Sequence, residues 1–191
     1  MTARSNSVTR TIKSQAIVLG GAVAIMWLVY LATWMTGGGL LYLGVIPRTT
    51  LGLRGIIFAP FLHGSVAHLI ANSIPFVMLG WFVMLRDSRH FVPVTIAAML
   101  GSGLMAWMFG APGSVHVGAS GVIFGYLGFL MLSGWYARSI ASIVISILVT
   151  VMWGGLVFGV VPGQVGISWQ AHLGGLIGGI LAARAYRVRP L

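Results

Sequence analysis

From Ala16 to Tyr186 the chain is a series of apolar runs, broken only by short polar or glycine-rich stretches. Each run is about 20 residues, the length a helix needs to cross the hydrocarbon core of a bilayer. In lipid every backbone N–H and C=O must be bonded internally, so runs of this kind are expected to be helices. The pattern predicts six spans, over residues 16–35, 65–85, 91–109, 118–135, 139–160 and 170–186. A basic flank precedes the first run, as in a signal peptide, but the apolar part is too long for one and is read as a span. The longest connection, residues 37–61, is apolar inside (Leu40, Leu41, Leu43, Ile56, Ile57, Phe58) and is expected to dip into the membrane interface. The expected fold is therefore an all-α bundle of six transmembrane helices with a long, membrane-dipping first loop. A tail at 1–15, a membrane domain at 16–187 and a second tail at 188–191 are its expected parts.

Charge sets the orientation and removes several chemistries. Lys and Arg number eleven, against the single acid Asp87. The basic residues stand singly or in small groups between apolar runs, which points to topology rather than to nucleic acid. Six spans put both termini on one side, and nine of the eleven basic residues lie there; only Arg48 and Arg54 lie opposite. The excess predicts cytoplasmic termini in a plasma (inner) membrane protein. One aspartate cannot form an aspartyl-protease pair, and with no glutamate a His-Glu-x-x-His zinc site is impossible. Ion carriers commonly place carboxylates within the membrane, so that class is disfavoured as well. The pattern implies no metal and no cofactor. Cysteine is absent, which leaves the redox compartment unread.

With this topology the second, fourth and sixth spans all begin on the outer side. His68 and Asn72 stand near the start of the second, Ser120 at the start of the fourth and His172 at the start of the sixth. Four polar groups from three spans are thus expected at one depth. His68 and Asn72 are four apart and share a helix face. Gly121 and Gly125 run beside Ser120, and Gly175 and Gly179 share the face of His172, so small-residue stripes can bring the two backbones close. That approach would put His172 within about 3 Å of Ser120, the reach a serine nucleophile needs of its base. Gly118-Ala119-Ser120-Gly121 taken alone is better explained by helix packing. His68 with Asn72 could likewise be an interhelical hydrogen-bond pair. His63 is read as holding the first loop, His116 as incidental, and His90, beside Arg86 and Arg89, as a solvated interface residue.

Taken together, Gly118-Ala119-Ser120-Gly121, Ala171-His172 with Gly175 and Gly179, and His63, His68 and Asn72 resemble the rhomboid family of intramembrane serine proteases. The resemblance covers the second to sixth spans. It implies a protease whose nucleophile is Ser120 and whose general base is His172, a dyad without an acid. It also implies that His68 and Asn72, with the Ser120 backbone N–H, hold the oxyanion, and that Phe124 packs on the catalytic histidine. The implied partners are transmembrane protein substrates within the bilayer. Two departures stand out: Leu53-Arg54 replaces the family's common Trp-Arg pair, and a glutamate often found near the cytoplasmic end of the second span is missing. An inactive relative that binds membrane helices is the alternative reading, and a small channel or carrier a more distant one.

Overall fold

A computed structural model describes residues 2–137 and 140–186. The expected tail at 188–191, and Arg138, Arg187 and Arg189 of the charge count, lie outside these residues. Among the described residues there is no strand, only an isolated antiparallel bridge between Val45 and His116. The α-helices are α1 (Thr2–Met35), α2 (Gly55–Phe58), α3 (Val66–Asp87), α4 (Phe91–Phe109), α5 (Ser120–Ala137), α6 (Ile140–Trp153) and α7 (Trp169–Ala185).

Four helical stretches among the described residues are long and apolar enough to cross a membrane: Arg10–Met35, Val66–Phe109, Ser120–Ala137 and Ser142–Val160. The second of these contains both α3 and α4, joined through a 3-10 turn at Ser88–His90. Large apolar side chains point outward on the peripheral helices, among them Leu28 and Trp34 on α1 and Ile140 and Val151 on α6. Apolar exposure on this scale suits a lipid environment and would be a liability in water. The protein is an integral membrane protein.

Local chemistry fixes where the helices begin and end. α1 starts well before Ala16, because Thr2–Gln15 contains neither Gly nor Pro to stop the helix extending outward. Ser65 caps α3 by accepting the His68 N–H at 3.1 Å. α5 begins at Ser120 rather than Gly118, since Gly118 has a φ of 114°, a left-handed conformation that only glycine adopts at ease. α6 ends at Trp153 and continues as a 3-10 helix over Gly154–Val160, where glycines at 154 and 155 weaken the α form. Ser168 caps α7 by accepting the Ala171 N–H at 3.3 Å.

α5 is the central post. Tyr126, Leu127, Phe129 and Leu130 are fully buried, and its neighbours are α3, α4, α6 and α7. The Tyr126 hydroxyl is 2.8 Å from Thr95 Oγ1 on α4, so this buried polar tip is satisfied. α7 lies against both α4 and α5 through two glycine faces. A Cβ on Gly174 or Gly178 would strike the Gly101 or Ala97 carbonyl of α4. One on Gly175 or Gly179 would strike the Gly121 or Gly125 carbonyl of α5. These are backbone-to-backbone contacts, closer than helices with any side chain at the crossing allow.

The charged end of α3 departs from the expectation that His90 is a solvated interface residue. Arg86 is only 4% exposed, and none of its guanidinium nitrogens has a hydrogen-bond partner. His90 is stacked on Tyr186 with ring centroids 5.2 Å apart. Arg89 instead pairs with Asp87 at 2.7 Å, outside the bundle.

Candidate active site

Ser120 is the first residue of α5, and His172 lies in the first turn of α7. Ser120 Oγ and His172 Nε2 are 2.8 Å apart. On its other side the ring faces the Gly159 carbonyl, with Nδ1 3.0 Å from the oxygen. A carbonyl can only accept, so Nδ1 carries the hydrogen and Nε2 is bare. The Ser120 hydroxyl therefore donates to Nε2, the arrangement in which an imidazole can take the proton from an attacking serine. The ring is also clamped from its face by Phe124, one turn beyond Ser120, at 4.1 Å between centroids and 13° between planes. His172 is 8% exposed, so these three contacts hold it with little competition from water.

The close approach follows from the glycines. Gly121 is the residue after Ser120, and Gly175 lies one turn beyond His172. The absence of a side chain at Gly175 lets α7 seat on the Gly121 carbonyl. Gly179 and Gly125 repeat the contact a turn further on. The spacing of two helix backbones is thereby converted into a hydrogen-bond distance between Ser120 and His172.

His68 and Asn72 lie on neighbouring turns of α3. Asn72 Nδ2 donates to the His68 carbonyl at 2.8 Å, which leaves its second hydrogen free. Asn72 Oδ1 is buried and has no partner. The His68 ring abuts Gly118, two residues before Ser120: a Cβ there would lie 2.7 Å from His68 Nε2. No hydrogen bond joins His68 or Asn72 to Ser120 or His172 among the described residues. As the first residue of α5, Ser120 has a backbone N–H with no intrahelical acceptor, a ready donor for a negative oxygen. His63 is fully buried, edge-on to His68 at 5.0 Å, with neither ring nitrogen bonded. Burial, reinforced by the neighbouring His68, pushes the His63 pKa down to about 4, so it is neutral.

A cavity of about 20 Å³ opens beside Ser120, bordered by Ser102, His116, Gly118 and Ser168. That is room for about one water. A groove of about 630 Å³ between α5 and α6 is far larger, but it is lined mainly by Met131, Trp135, Ile143, Ile147 and Val151, and its two hydroxyls, Ser146 and Thr150, have no histidine beside them in the lining.

Residues 50–189 match the family model described as the Rhomboid domain. The chain belongs to the rhomboid family. An uncharacterised protein of Mycobacterium tuberculosis is 40% identical over 188 residues, covering 92% of this chain and 78% of its own. RHOMBOID-like protein 4 of Arabidopsis thaliana is 30% identical over 140 residues, 68% of this chain and 33% of that one. Rhomboid protease GluP of Bacillus subtilis is 34% identical over 130 residues, 65% of this chain and 24% of that one. In this rhomboid chain the matched region takes in every one of the site residues from His63 to Gly179.

Two residues near the dyad, Gly159 and Ser168, were absent from the sequence reading, and a third, His116, was given no role in it. Gly159 acts through a backbone carbonyl, which no residue identity reveals. Ser168 could have been found as a Ser three residues before Ala171, an N-cap signal ahead of the sixth apolar run. His116, read as incidental, is bonded on both ring nitrogens: Nδ1 is 2.6 Å from Ser168 Oγ and Nε2 2.9 Å from Ser114 Oγ.

Proposed function

We propose that this protein is an intramembrane serine endopeptidase that cuts transmembrane segments of other membrane proteins near the outer face. The observation that carries the reading is the 2.8 Å contact from Ser120 Oγ to a bare His172 Nε2, with the opposite ring nitrogen tied to Gly159. In this mechanism Ser120 Oγ attacks the scissile carbonyl while His172 Nε2 takes its proton. The tetrahedral oxyanion is held by the Ser120 backbone N–H with His68 and the free hydrogen of Asn72. His172 returns the proton to the leaving amine, which leaves an acyl-enzyme on Ser120. A water, deprotonated by the same histidine, then releases the acid. The carbonyl of Gly159 takes the orienting role that a carboxylate has in a triad.

The proposed architecture has six spans: α1, α3, α4, α5, α6 with its 3-10 extension, and α7, within a domain over 16–187. The first connection dips into the membrane, and both termini are cytoplasmic in a plasma membrane protein, as the basic residues favour. The substrate segment must unwind locally, since a helical carbonyl is hydrogen-bonded and shielded. The similarity to Rhomboid protease GluP and to Rhomboid-like protease 5 of Toxoplasma gondii, both named as proteases, supports a proteolytic activity. Purified protein in liposomes with a panel of tagged single-span substrates tests the reading. Cleavage by the wild type and none by Ser120→Ala is expected. Cleavage that survives Ser120→Ala would end it, and absence of any cleavage or serine labelling would favour an inactive helix-binding relative.

A further inference from the structure

The dyad is fixed from the sides by Gly159 and Phe124, but a second set of bonds joins the two helix starts one turn outward. His116 stands four residues before Ser120, and Ser168 four before His172. The Ser168 carbonyl accepts the His172 N–H at 3.1 Å, and its hydroxyl accepts the Ala171 N–H. His116 is bonded to Val45 through its own backbone in both directions, at 2.9 and 3.0 Å, so its position in the connection before α5 is defined. Between these two anchored residues runs the 2.6 Å contact from His116 Nδ1 to Ser168 Oγ.

The hydrogens of this chain have a single consistent arrangement. Ser114 Oγ is 2.6 Å from the Ala111 carbonyl, which can only accept, so the Ser114 hydrogen goes there. Ser114 Oγ must then accept from His116 Nε2–H at 2.9 Å. A neutral imidazole has one N–H, so Nδ1 is bare and accepts from the Ser168 hydroxyl. The Ser168 oxygen keeps a lone pair for the Ala171 N–H at the start of α7. Every donor finds an acceptor only if His116 is neutral, and its burial holds its pKa below the ordinary histidine value.

We propose that His116 is a positioning residue: through Ser168 it clasps the start of α7 to the connection entering α5 and so sets the distance from Ser120 to His172. It rests on the reading of Ser120 and His172 as the catalytic pair. Neither His116 nor Ser168 bonds to either of them through a side chain; the effect is transmitted by the helix starts. Two adjoining glycines leave His116 room. A Cβ on Gly110 would strike His116 Nε2, and one on Gly44 would meet the His116 carbonyl.

The test compares His116→Phe, which keeps a ring without nitrogens, with Ser168→Ala, Ser168→Thr and the double variant His116→Phe/Ser168→Ala. Cleavage of a single-span substrate in liposomes is followed, together with the rate of labelling by a fluorophosphonate. Both single variants should lose roughly ten- to hundredfold in kcat, as a shift of about 1 Å at a catalytic pair does. KM should hold, the double variant should be no worse than the singles, and Ser168→Thr should recover most of the rate. A purely structural role would lower the folded fraction and leave the kcat of folded protein unchanged. Wild-type kcat in folded His116→Phe would overturn the clasp and leave the dyad standing. If the wild type were neither active nor labelled, the dyad reading would fall, and the clasp would be judged by 15N NMR of His116. A bare Nδ1 that gains a different shift in Ser168→Ala supports it; a protonated Nδ1 in the wild type refutes it.

Discussion

Replacing Gly175 by Ala adds a single methyl group and no chemistry, so it isolates the packing that brings Ser120 to His172. A Cβ at 175 would lie 2.7 Å from the carbonyl carbon of Gly121 and 3.1 Å from its Cα, and nearer still to the oxygen. Ordinary contact begins at 3.4 Å, so relieving the carbon contact alone requires about 0.7 Å of separation, and the oxygen requires more. The obstacle is backbone on both sides and cannot swing away like a flexible side chain. Gly121 follows Ser120 directly, and Gly175 is three residues past His172, so the shift falls on the 2.8 Å bond between them. A displacement of about 1 Å at such a pair costs on the order of a hundredfold in rate, and overpacking of this kind destabilises by about 1–3 kcal/mol. Small-residue stripes read from sequence suggest that alanine would be tolerated where valine is not. The backbone contact makes even alanine disruptive. Cleavage of a single-span substrate in liposomes, with a thermal melt in detergent, should show a loss near a hundredfold and a lower melting temperature. Full activity with an unchanged melt would refute the claim that the glycine contact sets the dyad distance.

Ser120→Ala and His172→Ala should each abolish cleavage, and the double variant should be no worse, because the two act as a unit; measurable turnover by His172→Ala argues for another base. Asn72→Ala and His68→Ala should slow cleavage without ending it, with roughly 2–4 kcal/mol of transition-state stabilisation lost per oxyanion donor; wild-type kcat in both would make them structural. Gly159→Ala would place its Cβ 2.9 Å from His172 Nδ1 and 2.9 Å from the Phe124 ring. It should lower kcat with little change in KM, which single-turnover assays would register. His63 is neutral when folded, with a pKa near 4, and takes up a proton more readily when unfolded, near 6.5. The unfolded state then binds more protons between those values, so stability should fall as pH drops from about 6.5 to 4, by up to roughly 3 kcal/mol. His63→Phe should flatten that slope in pH-dependent melts.

Much of the fold was legible because the bilayer imposes it. Apolar runs of spanning length mark α3, α4 and α5 closely and the end of α1 but not its start, and helix periodicity put His68 with Asn72 and His172 with Gly175 on shared faces. The ends were harder. Gly118 belongs to the connection because of its left-handed φ, and Gly154–Val160 tightens into a 3-10 helix, neither of which hydropathy registers. Within the candidate site, type and spacing singled out Ser120 and His172, whose side chains the fold brings to 2.8 Å. Contributions made through the backbone were not: the Gly159 carbonyl that fixes the tautomer of His172 leaves no mark in the sequence. The bond of His116 was hidden because its partner Ser168 is 52 residues away, and only the fold brings the two together. The burial of Arg86 was hidden as well, since it depends on how α3 packs in the bundle rather than on its own sequence.

The central claim is that Ser120 is a nucleophile activated by His172, and covalent labelling measures that without knowledge of the natural substrate. Purified wild-type protein in liposomes is treated with a fluorophosphonate, and the adduct is located by peptide mass spectrometry. The account predicts one adduct per chain on Ser120, strongly reduced in His172→Ala at unchanged folding and absent in Ser120→Ala. An adduct on a different serine, or labelling of Ser120 at the same rate without His172, would contradict it.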